Sequence, residues 1–194
     1  MRIDHVIYAA ADLDIATGRL EALLELPAVG GGRHDGMGTA NRVIPLGGGY
    51  LEVLAIADPQ EAAGSALGRA VRERIDSTGE GLMGWAVAVD DVGVLAKANG
   101  LELTEISRQG MTARLAGVAE AMTEPSLPFF IERDPGIPDP GAVGDGEGIK
   151  WIEVGGTKAR LQSWLGGAKV PAHIRRGPPG VRAICIGNRE LRST

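Results

Sequence analysis

The sequence predicts an α+β fold: two repeated βαβββ modules whose curved mixed sheets form a cleft, followed by a partial third strand-helix-strand unit. Three observations carry this expectation. The stretch "IDHVIYA" alternates with period two, placing Ile3, His5 and Ile7 on one face and Asp4, Val6 and Tyr8 on the other, as a strand does. The same strand-to-helix pattern restarts in "GWAVAVDDV", with Asp91-Val92 standing 79 residues after Asp12-Leu13. Further matches follow at similar offsets, Glu52 to Glu132 at 80, Arg33 to Arg108 at 75 and Met37 to Met111 at 74.

Taken in order, residues 1–57 form the first module. After the opening strand, Asp12 or Asp14 can cap a helix whose apolar side holds Ala16, Leu20, Leu23 and Leu24, ending before Pro27. Gly30 to Gly32 make a loop, and with no Lys-Ser/Thr and no helix start after them they are not a phosphate cradle. "TANRVIPL" and "YLEVLAIA" flank Gly47 to Gly49 as a hairpin. Residues 58–80 read as a solvated connecting helix with Leu67, Val71 and Ile75 at helical spacing.

The second module covers 81–133. "GLMGWAVAVDDVGVLAKANG" is strand, Asp cap, helix and Gly100 stop, and "LELTEISRQGMTARLAGV" and "LPFFIERD" supply further strands. Residues 134–150 hold too many Pro and Gly for regular structure and form a loop. Residues 151–194 read as a strand-helix-strand extension closing the sheet. In the repeat, Gly84 occupies the place of His5, and Trp85, pointing the other way, belongs to the core.

Composition narrows the function classes. With 44% apolar residues the chain can bury a core, while a net charge of −5 and only 4% aromatics argue against a nucleic-acid partner. No apolar run is long enough to span a membrane and no leader is visible, so a cytoplasmic location is expected. Cys185 is the only cysteine, which excludes an internal disulfide and a thiolate cage and suggests a core thiol. His173, in the tail, is expected in solvent.

Glu52 shares a face with Tyr50 and Leu54, and Glu132 stands beside Phe130. A carboxylate on such strands is costly to bury unless it is paired or bound to a cation. His34 lies in "GGRHDGMGTANR", opposite Gln109 in the repeat. Arg33, His34 and Asn41, with Arg108 from the second copy, are candidate donors to the carboxylate or carbonyl of a small molecule.

The stretches "IDHVIYAAADLD", "GGRHDGMGTANRVIPLGGGYLEVLA" and "LPFFIERD", continuing through "IKWIEVGG" and "WLGG", resemble glyoxalase-like domain proteins. These belong to the vicinal oxygen chelate superfamily, which also holds glyoxalase I, extradiol dioxygenases and antibiotic-resistance proteins. The resemblance implies a cleft in which His5, Glu52 and Glu132 share a divalent metal such as Mn, Fe, Ni or Zn, with Gly84 at the missing fourth position. Such an ion would chelate neighbouring substrate oxygens as a Lewis acid. Glu52 or Glu132 could leave it to act as base.

A metal-dependent lyase or isomerase acting on a small oxygen-rich molecule is the leading expectation. The alternative is a metal-free binding or resistance protein using the same cleft. A dioxygenase, which would need His34 as a second histidine ligand, ranks third. The small side chains on the Gly84 side suggest that the lost histidine was exchanged for substrate volume. Superfamily members often build clefts across a homodimer, whereas duplication allows one within a single chain.

Overall fold

The computed structural model describes residues 1–193 except 109–110, 135, 138 and 144–145, and it leaves the side chains of 107, 108 and 111 undescribed. The first module runs β1 (Arg2–Ala10), α1 (Leu13–Leu24), β2 (Val29–His34), β3 (Thr39–Pro45) and β4 (Tyr50–Ile56). Two helices, α2 (Pro59–Gly64) and α3 (Ala66–Thr78), lie where a single connecting helix is expected. The break falls at Ser65, whose hydroxyl caps α3 by accepting from the Gly68 amide. The second module runs β5 (Gly81–Ala88), α4 (Val92–Asn99), β6 (Leu103–Arg108), β7 (Met111–Ala116) and β8 (Phe129–Arg133), with an additional helix α5 (Val118–Thr123) between its last two strands.

All eight strands join one curled sheet in the order β2-β3-β4-β1-β5-β8-β7-β6. In each module the first and last strands run parallel, β1 with β4 and β5 with β8, and the modules meet where β1 runs antiparallel to β5. The junction's register reveals the symmetry. Ile7 pairs with Gly84 and His5 with Ala86, and a shift of 79 residues exchanges these two pairs. Gly84 therefore occupies the second module's equivalent of His5.

Local chemistry explains the flanking elements. Asp12 caps α1 by accepting from the Ile15 amide, and Asp91 caps α4 from Val94. Ala16, Leu20 and Leu24 of α1 face the sheet at spacings of four, which turns Leu23 out to 54% exposure. The glycine turn between β3 and β4 uses φ of 77° at Gly47 and 84° at Gly49, and Gly146 lies so close that a side chain at Gly47 would collide with its carbonyl.

The sheet buries two cores. On one face Val6, Leu51, Val53, Trp85 and Phe130 pack with α1, α4 and the C-terminal extension. On the other, Ile7, Leu54, Ala86 and Phe129 pack with Val71 of α3 and Ala121 and Met122 of α5. The extension comprises β9 (Ile149–Gly155), α6 (Lys158–Trp164), β10 (Ala172–Arg175), β11 (Gly180–Ile186) and β12 (Arg189–Arg192). It does not close the main sheet. Among the described residues its strands pair with one another in the order β10-β9-β11-β12, and it joins the first core through Ile152, Val154 and Ile184. Cys185 is half-buried rather than core, because alternation on β11 turns it away from buried Ile184 and Ile186. His173 is exposed as expected, and its ring stacks on Trp151 at 5.0 Å.

Candidate functional site

A polar group interrupts the second core at its first-module end. His5 on β1 and Glu52 on β4 face the same side, and both are nearly buried, at 4% and 9% exposure. His5 Nε2 stands 3.6 Å from Glu52 Oε2, and His34 Nε2 on β2 stands 3.7 Å from Glu52 Oε1. Each imidazole thus addresses a different oxygen of one carboxylate. The His34 Nδ1 contacts Thr39 Oγ1 at 2.9 Å.

Asn41 on β3 holds Glu52 from the side. Its Oδ1 accepts the Gly32 amide at 3.0 Å, which leaves its Nδ2 to donate to Glu52 Oε1. An amide satisfied at both ends orients Glu52, and that is a different task from the substrate contact the sequence suggests for it.

Behind His5 lies Asp4, whose side chain is fully buried. Its Oδ2 lies 2.7 Å from His5 Nδ1 and accepts the Arg133 guanidinium at 2.6 Å. Burial alone would raise its pKa, but the hydrogen bond from His5 and the charges of His5, Arg133 and Arg2 win and hold the carboxyl below its ordinary value. Arg133 also donates to the Tyr50 hydroxyl at 3.2 Å. Burial and the nearby Glu52 and Asp4 charges push that phenol well above its ordinary pKa, against the opposing charge of Arg133, so Tyr50 stays protonated. The Tyr50 ring stacks on His5 at 4.6 Å, and Phe129 meets His5 edge-on at 5.3 Å.

The expected partnership of Glu132 with His5 and Glu52 does not form. Ile7 pairs with Glu52 in the first module, and Ile7's equivalent Ala86 pairs with Phe129 in the second, so Phe129 is the counterpart of Glu52. Glu132 lies three residues farther along β8, an odd number that sends its side chain to the opposite face. There it accepts the Val92 amide at 2.8 Å and pairs with Arg114. These two bonds, that of Val92 foremost, hold its pKa below the ordinary value against the cost of burial. Its neighbour Arg133 reaches the site instead.

Nor does Gly84 open a pocket. A Cβ placed there would lie 3.2 Å from Met122 Cε, so α5 fills the volume left by the missing imidazole. Arg33 is also absent from the site. It sits between Gly32 and His34 on β2, is more than half exposed, and lies 3.6 Å from Glu61. Arg108 ends β6, at the sheet edge opposite β2, and its side chain lies outside the described residues, as does Gln109, the repeat partner of His34. The two arginines matched by the repeat thus belong to opposite edges of the sheet.

These placements bear on the metal that the resemblance implies. With Glu132 engaged elsewhere and no donor at Gly84, the expected ligand set is reduced to His5 and Glu52. Among the described residues no three His, Cys, Asp or Glu side chains stand in chelating geometry. The residues present therefore do not fit the ion as expected. What remains is an oriented carboxylate with the imidazoles of His5 and His34 beside its two oxygens, groups able to exchange protons.

Sequence reasoning did not find Asp4, Arg133, Tyr50, Phe129 or Met122 for this region. The alternation of β8 carried a signal for Arg133, since it shares parity with Phe129 and Ile131. Nothing in the sequence announced that Asp4 would join His5.

Residues 3–168 match the family model of the glyoxalase-like domain. No curated protein sequence matches the chain. A hypothetical protein from Staphylococcus aureus has a similar fold, with a TM-score of 0.70 at 14% identity over 95% of this chain and 90% of that one. Methylmalonyl-CoA epimerase from Mycobacterium tuberculosis is similar at a TM-score of 0.51 and 18% identity, covering 73% of this chain and 91% of that one. The Streptomyces coelicolor epimerase in complex with 2-nitronate-propionyl-CoA gives 0.50 and 18%, covering 69% and 96%. At these identities the structures share the fold alone. The paired modules and the match over most of its length show that the chain belongs to the glyoxalase-like domain family, within the vicinal oxygen chelate superfamily.

Proposed function

We propose that the chain is an isomerase- or lyase-type enzyme that moves a proton on a small molecule bearing a carbonyl or carboxylate group, with Glu52 and His5 as the exchanging pair. The observation that carries this reading is the 3.6 Å approach of His5 Nε2 to Glu52 Oε2, both nearly buried and each oriented by a partner on its far side. In one direction Glu52 takes the proton from the carbon beside the carbonyl. His5, in its imidazolium form with protons on both ring nitrogens, delivers the Nε2 proton to the resulting enolate and is left as the Nδ1–H tautomer. Return of the proton from Glu52 to Nε2, 3.6 Å away, restores both groups. Closeness of acid and base to one substrate is the geometric requirement for this chemistry, which contributes typically 10²–10⁴-fold in rate.

His34, partly exposed with its Nε2 beside Glu52, is the candidate donor to the substrate oxygen. Asn41 keeps Glu52 in place. These side chains carry the proton themselves, while Glu132 is committed to Val92 and Arg114 and Gly84 supplies no donor.

The test is α-proton exchange in D₂O, followed by NMR, over a panel of small 2-oxo acids and acyl-CoA thioesters. The thioesters are included because two structural neighbours are methylmalonyl-CoA epimerases. Wild-type protein is expected to exchange at least one panel member, with the rate unchanged after EDTA treatment. Glu52→Gln and His5→Gln should each lower that rate about 100-fold or more. Binding of a panel member without any exchange would favour the metal-free binder. Exchange abolished by EDTA and restored by Mn, Fe(II), Ni or Zn would return the metal-dependent enzyme, with His34 the first residue to examine as third ligand.

A further inference from the structure

Asp4 and His5 are neighbours in sequence, and in a regular strand their side chains would face opposite sides of the sheet. In β1 they meet. Ile3 pairs with Val87 and His5 with Ala86, consecutive residues of β5, so Asp4 is the extra residue of a bulge. The bulge re-aims the Asp4 carboxylate onto the ring of His5, 2.7 Å from Nδ1.

The same oxygen, Asp4 Oδ2, accepts the Arg133 guanidinium at 2.6 Å. A guanidinium only donates and an ionised carboxylate only accepts. The proton between Asp4 and His5 therefore sits on Nδ1, which leaves Nε2 as the nitrogen turned toward Glu52. Tyr50 stacked at 4.6 Å with planes 18° apart, and Phe129 edge-on at 5.3 Å, hold the ring against rotation. Arg133 comes from the second module, so both halves of the duplication define the state of one imidazole.

We propose that Asp4 is a positioning residue for the site: through the bulge in β1 it fixes His5 as the Nδ1–H tautomer with Nε2 aimed at Glu52. Asp4 touches no substrate and acts only through His5. The inference rests on the reading of His5 as a proton-transfer group, but its test does not depend on activity.

Protein labelled with ¹⁵N-histidine contains only three labelled rings, His5, His34 and His173. The His5 signals are identified by their loss in His5→Gln, and long-range ¹H–¹⁵N spectra report which ring nitrogen carries the proton. Wild-type protein is expected to show a protonated Nδ1. Asp4→Asn keeps an accepting oxygen for both Arg133 and His5 and should retain that tautomer. Asp4→Ala should lower the ratio of Nδ1–H to Nε2–H at least about tenfold, because an aspartate behind a histidine sets its tautomer. Asp4→Ser serves as a second truncation where Asp4→Ala does not fold.

A wild-type His5 protonated on Nε2 and bare on Nδ1 would overturn the proposal without any variant. So would a truncation that lowers the melting temperature while leaving the His5 tautomer unchanged, since the carboxylate would then be structural only. A correct tautomer response in a protein that exchanges no panel member would sink the catalytic reading and leave the positioning role standing.

Discussion

Where the first module carries His5 the second carries Gly84, and where the first carries Glu52 the second carries Phe129. Both modules keep the same strand order and the same Asp cap at the helix start. They part at the connection between their last two strands. The first module turns tightly through Gly47 to Gly49, whereas the second inserts α5, whose Met122 lies against Gly84. The difference teaches that a duplicated scaffold became asymmetric by filling one of its two equivalent positions with a helix. The second module still contributes to the candidate site, but through Arg133 and Phe129, which brace Asp4 and His5.

The most disruptive way to test this asymmetry is to restore the missing side chain. Gly84→His should destabilise the protein by about 1–3 kcal/mol, because an imidazole must displace Met122 in a packed core. Adding Met122→Ala should recover part of the loss. Urea unfolding of the single and double variants measures both. A Gly84→His protein as stable as wild type would mean that the second position is open after all.

A second prediction sharpens the role of the charge shared between the modules. The Asp4 pKa is lower in the folded protein than in the unfolded chain, so its carboxylate contributes stability that is fully present above the unfolded value, about 4. That contribution is lost as pH falls through the folded value. Wild type should therefore lose stability on acidification below about pH 4 more steeply than Asp4→Asn, which has no carboxyl to protonate. Urea midpoints at several pH values between 3 and 6 give the comparison, and parallel curves for the two proteins would contradict it.

The smallest effect is expected at Glu132, whose partners are a helix-end amide and an arginine. Glu132→Gln should cost about 1 kcal/mol from the weakened bonds to Val92 and Arg114. Any α-proton exchange should stay within about threefold of wild type, in contrast to Glu52→Gln. A loss of exchange comparable to that of Glu52→Gln would place Glu132 back in the chemistry.

Much of this molecule is written in short-range pattern. Alternation around His5 and Trp85, the Asp12 and Asp91 caps, the glycine turn before Tyr50 and the offset of 79 residues determined two βαβββ modules and put Gly84 in the place of His5. Alternation and the same repeat also set His5 and Glu52 apart as candidate site residues. Tertiary structure decided what the sequence pattern misaligned or could not contain. The match of Glu52 to Glu132 followed residue type, but strand parity depends on the pairing of β5 with β8, and three residues of displacement reverse a side chain. The Asp4–His5 contact depends on a bulge that exists only because β1 pairs with β5, and the filling of the Gly84 position depends on where α5 packs. Local periodicity reflects chain stereochemistry and survives in the sequence, whereas register, bulges and packing arise from partners far along the chain and become visible only when those partners meet.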